Sequence, residues 1–228
     1  MVKSKSYIGI SLVILVFGIY AVPKIVARFE NHDIVKGDRL NAVANGNTTN
    51  PNLVVMGNAP KFELTDQNNS AISNKTYKDK VFVLEFFFST CPSICPIMNA
   101  NLKKIQDSFY GNKNFGIASI TIDPEKDTPD NLKKHAETLG IKSQNWHFLT
   151  GKKEYIYDLA NKGFNLYAGQ NDKFEGGFEH SGLLALIDKN GKIRCRKDEF
   201  GNPIMYYDGL EEAGIKALKE DIKILLEE

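Results

Sequence analysis

Cysteine is scarce, with three in 228 residues, which excludes a scaffold held together by disulfides. Neither sign of charge is in excess: 29 Lys and Arg against 28 Asp and Glu leave a net charge of +1. That excludes a strongly basic nucleic-acid binder and a polyanionic tail. Internal repeats are lacking. Hydrophobic residues make up 42% and charged residues 25%, the ordinary globular mix, which excludes wholesale disorder. The length fits one domain with appendages and is enough to bury a core without metal or disulfide staples.

The charge is unevenly placed. Residues 1–28 hold Lys3, Lys5, Lys24 and Arg28 and no acid, so the rest of the chain is mildly acidic. Between Ser6 and Pro23 no residue is charged, and as a helix this run would span about 27 Å, close to the hydrocarbon thickness of a bilayer. Lys3 and Lys5 on the N-terminal side place that end in the cytoplasm and the remaining chain across the membrane. Tyr7 and Tyr20 sit where interfacial aromatics belong. The rival is a cleaved signal peptide, but no small-x-small cleavage site follows Val22. Residues 1–28 are therefore read as a membrane anchor. Residues 29–55, rich in Asn and Gly, are read as a polar tether. Residues 56–228 are the folded domain.

Within that domain, Phe62-Glu-Leu64 and Ala71-Ile72 flank a turn-like Asp66–Ser70 and predict a hairpin. Val81–Phe88 is apolar on both faces, as a central strand is. Met98, Leu102, Ile105 and Phe109 recur on one helix face. Phe115–Ile122 is a second buried strand. Thr128-Pro129 opens a helix that Gly140 ends. Trp146–Leu149 is a short strand and Glu154–Phe164 a helix. Ser181–Ile187 and Lys192–Arg196 form strands around Asp188–Gly191. Ile215, Leu218, Ile222 and Leu225 mark the last helix. Strands alternating with helices, then a hairpin and helix, predict an α/β fold: a thioredoxin-like mixed sheet flanked by helices, with an N-terminal β-hairpin extension.

Chemistry concentrates at Ser89-Thr-Cys91-Pro-Ser-Ile-Cys95-Pro96. The cysteines are four apart, just after a central strand and at the start of a helix, where ligands of α/β sheets gather. Both sulfurs then lie near a helix N-terminus, which favours thiolates. The spacing allows a disulfide or two ligands on one metal. Redox dithiols ordinarily use one residue fewer, whereas a soft metal such as Cu(I) takes two thiolates with an imidazole. A plain stapling disulfide is the bland alternative. Of the histidines, His32 lies in the tether, His135 among charged helix residues, and His147 beside Trp146. His180 directly precedes the strand that faces the cysteine turn in a thioredoxin-like sheet, and is the candidate third ligand.

The segment Phe87-Phe-Ser-Thr-Cys91-Pro-Ser-Ile-Cys95-Pro-Ile-Met98 resembles the signature of the Sco/SenC family. So do Thr121–Pro129, Trp146–Gly151, and Phe178-Glu-His-Ser181 followed by Ile187–Ile193. The resemblance runs from about Phe62 to the last helix. It implies a copper-binding domain, anchored by a single span in the cytoplasmic membrane and facing the periplasm or an equivalent space. It implies copper, as Cu(I) and also Cu(II), held by Cys91, Cys95 and His180. The same cysteines would close a Cys91–Cys95 disulfide that cannot hold metal, so that redox state gates capture. The implied role is a copper chaperone that assists assembly of the binuclear copper centre of cytochrome c oxidase. The implied partners are the copper-receiving oxidase subunit and other copper chaperones or thiol reductants, with no nucleic acid. The alternative role is a thiol-disulfide oxidoreductase that reduces the acceptor cysteines of that subunit through the same pair. A thiol peroxidase would want Thr-x-x-Cys, which Thr90-Cys91 does not supply.

Two departures stand out. Glu179 occupies a position that is often Asp in the family, and Cys195, between Arg194 and Arg196, matches no family motif. Cys195 is read as an incidental thiol. Met98 heads an apolar stripe and is read as core. Asp123 and Asp127 are read as turn and cap residues, with a minor reading that places Asp123 beside the metal. Tyr206–Gly209 packs under the last helix or shapes a partner surface. Glu85, inside an apolar strand, carries no functional argument from sequence alone.

Overall fold

The computed structural model describes residues 6–30, 53–171, 173–174, 176–198 and 200–228. The chain divides into two compact units, Met1–Arg39 and Leu40–Glu228. His32 and nearly all of the expected tether lie outside the described residues.

The first unit contributes one helix, α1 (Ser6–Glu30), which runs through Pro23. Its side chains at Ile10, Leu12 to Phe17, Ile19 and Tyr20 are all exposed. Lys24 lies over the Tyr20 ring and donates to its hydroxyl at 2.9 Å, so the lysine stem packs along an aromatic neighbour one turn away. Among the described residues, no helix is long and apolar enough to cross a membrane.

The second unit is built on a mixed sheet. In chain order its elements are β1 (Val54–Asn58), β2 (Glu63–Asp66), β3 (Ala71–Ser73), β4 (Val81–Phe87), α2 (Cys95–Ser108), β5 (Phe115–Thr121), α3 (Pro129–Leu139), β6 (Trp146–Thr150) and α4 (Lys153–Asp158). There follow β7 (Ala168–Gln170), β8 (Phe178–His180), β9 (Leu183–Ile187), β10 (Lys192–Lys197), β11 (Pro203–Ile204), β12 (Tyr207–Asp208) and α5 (Glu212–Glu227). The sheet order is β1-β10-β9-β4-β5-β6-β2-β3, with β11 on β10 and β12 on β9. Strands β4, β5 and β6 are parallel, and the other pairings are antiparallel.

Strand β4 is central, between β5 and β9, and all seven of its residues are buried. This is why Val81–Phe87 reads as a continuous apolar run and not as an alternating one. Successive residues point to opposite faces: Phe86 meets Phe164 (ring centroids 6.1 Å), while Phe87 stacks on His135 of α3 (5.6 Å). Helix α2 buries Met98, Leu102 and Ile105, and α5 buries Ile215, Leu218, Ile222 and Leu225, each an amphipathic stripe. Helix α3 begins at Thr128, whose hydroxyl accepts from the Asn131 N–H, and ends at Gly140 with φ 65°. Left-handed backbone of that kind suits glycine.

Several elements differ from expectation. Strand β1 starts at Val54, ahead of Met56, and pairs with β10 through a register shift between Val55 and Gly57. The expected helix 154–164 divides into α4 and a π-helical turn, Leu159–Phe164. Asn161 accounts for the change: its Nδ2 donates to the carbonyls of Tyr157 and Ala168, and its Oδ1 accepts from the Ala168 N–H. The expected strand 181–187 is shortened to β9, which joins the main sheet, and it is preceded by an unexpected strand, β8, which pairs with β7 as a small second sheet. His180 ends β8.

Candidate metal centre

The turn after β4 is held from two sides. The Cys91 N–H donates to the Phe88 carbonyl at 3.2 Å. Asp127, buried at 1% exposure, accepts from the Ser89 N–H at 3.0 Å, from the Ser89 hydroxyl and from the Thr121 hydroxyl. A single carboxylate therefore ties the start of the cysteine turn to the end of β5. Asp127 thus turns inward, and Thr128 supplies the helix cap expected in this stretch.

Helix α2 opens at Cys95 with Pro96 beside it, where a missing N–H costs nothing. No side-chain oxygen caps it. Instead the Cys95 N–H points at Cys91 Sγ, 3.5 Å away, and the Ser93 hydroxyl lies 3.7 Å from the same sulfur. Donors and a helix N-terminus aimed at one sulfur favour its anionic form. The Cys91 thiol accordingly falls well below its ordinary pKa, chiefly because the Cys95 thiol donates to it, with further help from His180 and from the backbone N–H groups of Cys95 and Ser93. Cys95 moves upward, because it holds the shared proton and is buried. All three cysteines are free thiols.

His180 completes the group. Its Nε2 lies 3.1 Å from Cys95 Sγ, and its Nδ1 lies 3.1 Å from the Ser181 carbonyl. A carbonyl only accepts, so Nδ1 carries a hydrogen, and Nε2 is the nitrogen turned toward the cysteines, free to offer a lone pair to a metal in the neutral ring. This is the tautomer a metal-ligating histidine needs, oriented by its backbone partner. The ligand atoms of Cys91, Cys95 and His180 all lie within 4.8 Å of one another, and all three residues are buried. Donors on one three-coordinate soft metal sit roughly 4 Å apart, given bonds of about 2.0–2.3 Å, so two sulfurs and an imidazole at this spacing fit a single Cu(I)-type ion.

The other sequence candidates fall elsewhere. Asp123 is buried, donates its backbone N–H to the Thr121 hydroxyl, has its carboxylate 3.6 Å from Lys126 Nζ, and is not part of the three-ligand group. Met98 is core, as read. His147 bonds Asp66 at 3.1 Å and ties β6 to the β2–β3 hairpin. His135 is half-buried and does not share the solvated face of its charged neighbours. It turns onto Phe87 and Phe148, and burial pulls its pKa down. Cys195 is wholly buried, and burial pushes its thiol up to about 11. The flanking arginines do not activate it, because Arg194 pairs with Asp188 and Glu228 while Arg196 pairs with Asp221 and Glu220. Tyr206 and Tyr207 are buried, and their hydroxyls donate to the Phe164 carbonyl and to Asp221.

Sequence reasoning gave no role to Glu85. It is fully buried, accepts from the Ser119 hydroxyl at 2.6 Å, and leaves Oε2 without a partner. Burial raises its pKa to about 7, against the lowering pull of Ser119 and of His180. The signal available from sequence was a lone acid in a strand apolar on both faces.

The fold and the site together define a class: a thioredoxin-like domain whose cysteine turn and opposing histidine bring two sulfurs and an imidazole within 4.8 Å of one another. Residues 56–213 match the SCO1/SenC family, and the chain belongs to that family. The SCO1 protein homolog of Bacillus subtilis is 29% identical over 164 residues, covering 71% of this chain and 79% of that protein. A SCO1/SenC family lipoprotein of Bacillus anthracis superposes with a TM-score of 0.65 at 28% identity, over 76% of this chain and 97% of that one. BsSco, a member of the Sco family of cytochrome c oxidase assembly proteins in which a disulfide switch was identified, superposes at 0.63 with 25% identity, over 80% and 99%. The fold is also that of Bradyrhizobium japonicum ScoI, solved with copper bound, at a TM-score of 0.57 and 22% identity over 74% and 99%.

Proposed function

We propose that this chain is a membrane-anchored, extracytoplasmic copper chaperone that captures Cu(I) through Cys91, Cys95 and His180 and serves assembly of the copper centre of cytochrome c oxidase. The observation that carries the reading is the three ligand atoms within 4.8 Å of one another, two of them sulfur and the third the Nε2 nitrogen that His180 turns toward them. Capture replaces the proton shared by the two sulfurs with the metal. Joining the same sulfurs as a disulfide removes both ligands, so oxidation would empty the site. The family of BsSco gives the oxidase its place in this reading. The uncharged run from Ser6 to Pro23, with apolar side chains exposed along α1, supports the anchored part of the reading, in which Lys3 and Lys5 keep its start in the cytoplasm.

The test is anaerobic Cu(I) titration of the reduced full chain against a chelator of known affinity. One tight equivalent is expected, abolished when Cys91 and Cys95 are oxidised. No tight site in a protein with two titratable thiols would sink the reading.

The depressed Cys91 thiol beside Cys95 also favours a second role, reduction of acceptor cysteines by thiol-disulfide exchange. His180→Ala separates the two. Loss of Cu(I) capture with thiol exchange retained is expected, and unchanged Cu(I) affinity would remove His180 from the site.

A further inference from the structure

His180 reaches the cysteines because two stretches of chain, far apart in sequence, press against each other. One is the turn after β4, where Phe88 and Pro92 flank Cys91. The other is the run into β8, Gly176-Gly177-Phe178. They meet at Gly176. A Cβ placed there would lie 2.9 Å from Cε2 and 3.1 Å from Cζ of Phe88, and 3.2 Å from Cδ of Pro92. Carbon atoms do not approach so closely, so any side chain at 176 must force the stretches apart. Phe88 has little room to yield. It is 1% exposed, packs on Phe178 at 5.2 Å and holds the edge of the His180 ring at 5.8 Å and 83°. Gly177 provides the contrast. Its φ of +79° matches the +88° of Gly176, yet a Cβ there meets nothing within 4 Å. The two glycines share a left-handed backbone and differ in contact.

We propose that Gly176 is a positioning residue for the metal centre: its bare backbone, seated on Phe88 and Pro92, sets the gap between the cysteine turn and β8 and so brings His180 Nε2 within reach of Cys95 Sγ. The purpose assigned to that gap rests on the metal-capture reading, but the gap itself is measurable without metal. Ligand sets lose function when displaced by about 0.5 Å, and a methyl group at 176 demands a shift of that order.

The experiment uses the reduced full chain and two readouts: the His180 ring ¹⁵N resonances in the metal-free protein, and Cu(I) affinity by chelator competition. Gly176→Ala is expected to move the Nε2 resonance away from its wild-type position and to weaken Cu(I) capture by about 10- to 100-fold. Gly177→Ala, strained but uncrowded, is expected to leave the resonance in place. Adding Phe88→Leu to Gly176→Ala is expected to recover most of the loss relative to Phe88→Leu alone. Equal resonances in the two alanine variants, or no recovery by Phe88→Leu, would overturn the assignment. If Gly176→Ala does not fold, folding of the double variant supports the collision with Phe88, and failure of both overturns it. Absence of Cu(I) capture by the wild-type chain would overturn the metal reading alone, while the imidazole resonances still decide the role of Gly176.

Discussion

At the scale of single residues, Glu85 combines a buried carboxyl group with a readable reporter. The Trp146 indole N–H donates to the Ser119 hydroxyl at 2.9 Å, and that hydroxyl donates to Glu85. The chain has one tryptophan, so its fluorescence follows this hydrogen-bonded chain. In the folded protein burial raises the Glu85 pKa from 4.5 to about 7. An acid whose folded value lies above its unfolded one contributes stability that is complete at low pH and lost as pH rises through the folded value. Wild-type stability is therefore expected to fall between about pH 4.5 and pH 8, with this group removing on the order of 3 kcal/mol. Glu85→Gln should flatten that slope, and at pH 8 it should be more stable than wild type in urea unfolding. Trp146 emission should titrate near neutral pH in the wild type and not in the variant. A wild-type stability that rises across this interval, with Glu85→Gln matching it, would refute the assignment.

At the scale of elements, the site hangs on short ties between neighbouring segments. Asp127 is the tie between the cysteine turn and β5. Asp127→Ala leaves the Ser89 N–H and the Thr121 hydroxyl without their acceptor, at a cost of about 1–3 kcal/mol, and it should loosen the turn. The expected result is a lower melting temperature together with weaker Cu(I) capture, and full retention of both would show that the turn stands without it. The last helix is tied in another way. Arg196 and Tyr207 both bond Asp221, which is fully buried in α5. Arg196→Ala strands that carboxylate and is expected to cost about 3–5 kcal/mol in denaturant unfolding. Long elements were legible in the sequence for physical reasons. Strands β4 and β5 are buried on both faces and so form apolar runs, while α2 and α5 print their stripes at helical spacing. Thr128, Pro129 and Gly140 mark both ends of α3 through caps that act locally. What was not legible depends on partners. Strand β1 exists because β10 accepts it, and the π-helical turn exists because Asn161 reaches Ala168. The same holds at the site. The spacing of Cys91 and Cys95 is local and visible, and His180 was found from its place before a strand. The roles of Phe88, Gly176 and Glu85 arise only when residues distant in sequence pack together.

At the scale of the whole molecule, the proposed anchor predicts where the protein is found. The full chain should stay in the membrane fraction through alkaline carbonate washing, and a chain beginning at Leu53 should not. N-terminal sequencing of the mature protein decides between a retained helix and a removed signal, since removal would leave a new terminus downstream of Val22. Cys195 bears on how such a chain must mature. In the native state it is wholly buried with a raised thiol pKa, whereas Cys91 keeps some exposure and a lowered one, so oxidation of the folded chain starts at Cys91. A chain that emerges unfolded into an oxidising space has no such protection, and any two of its three cysteines can join. The closing of β10 against β1 and β9 is then a race with oxidation. The order of events in time, and not the final contacts alone, decides whether the Cys91–Cys95 pair survives intact.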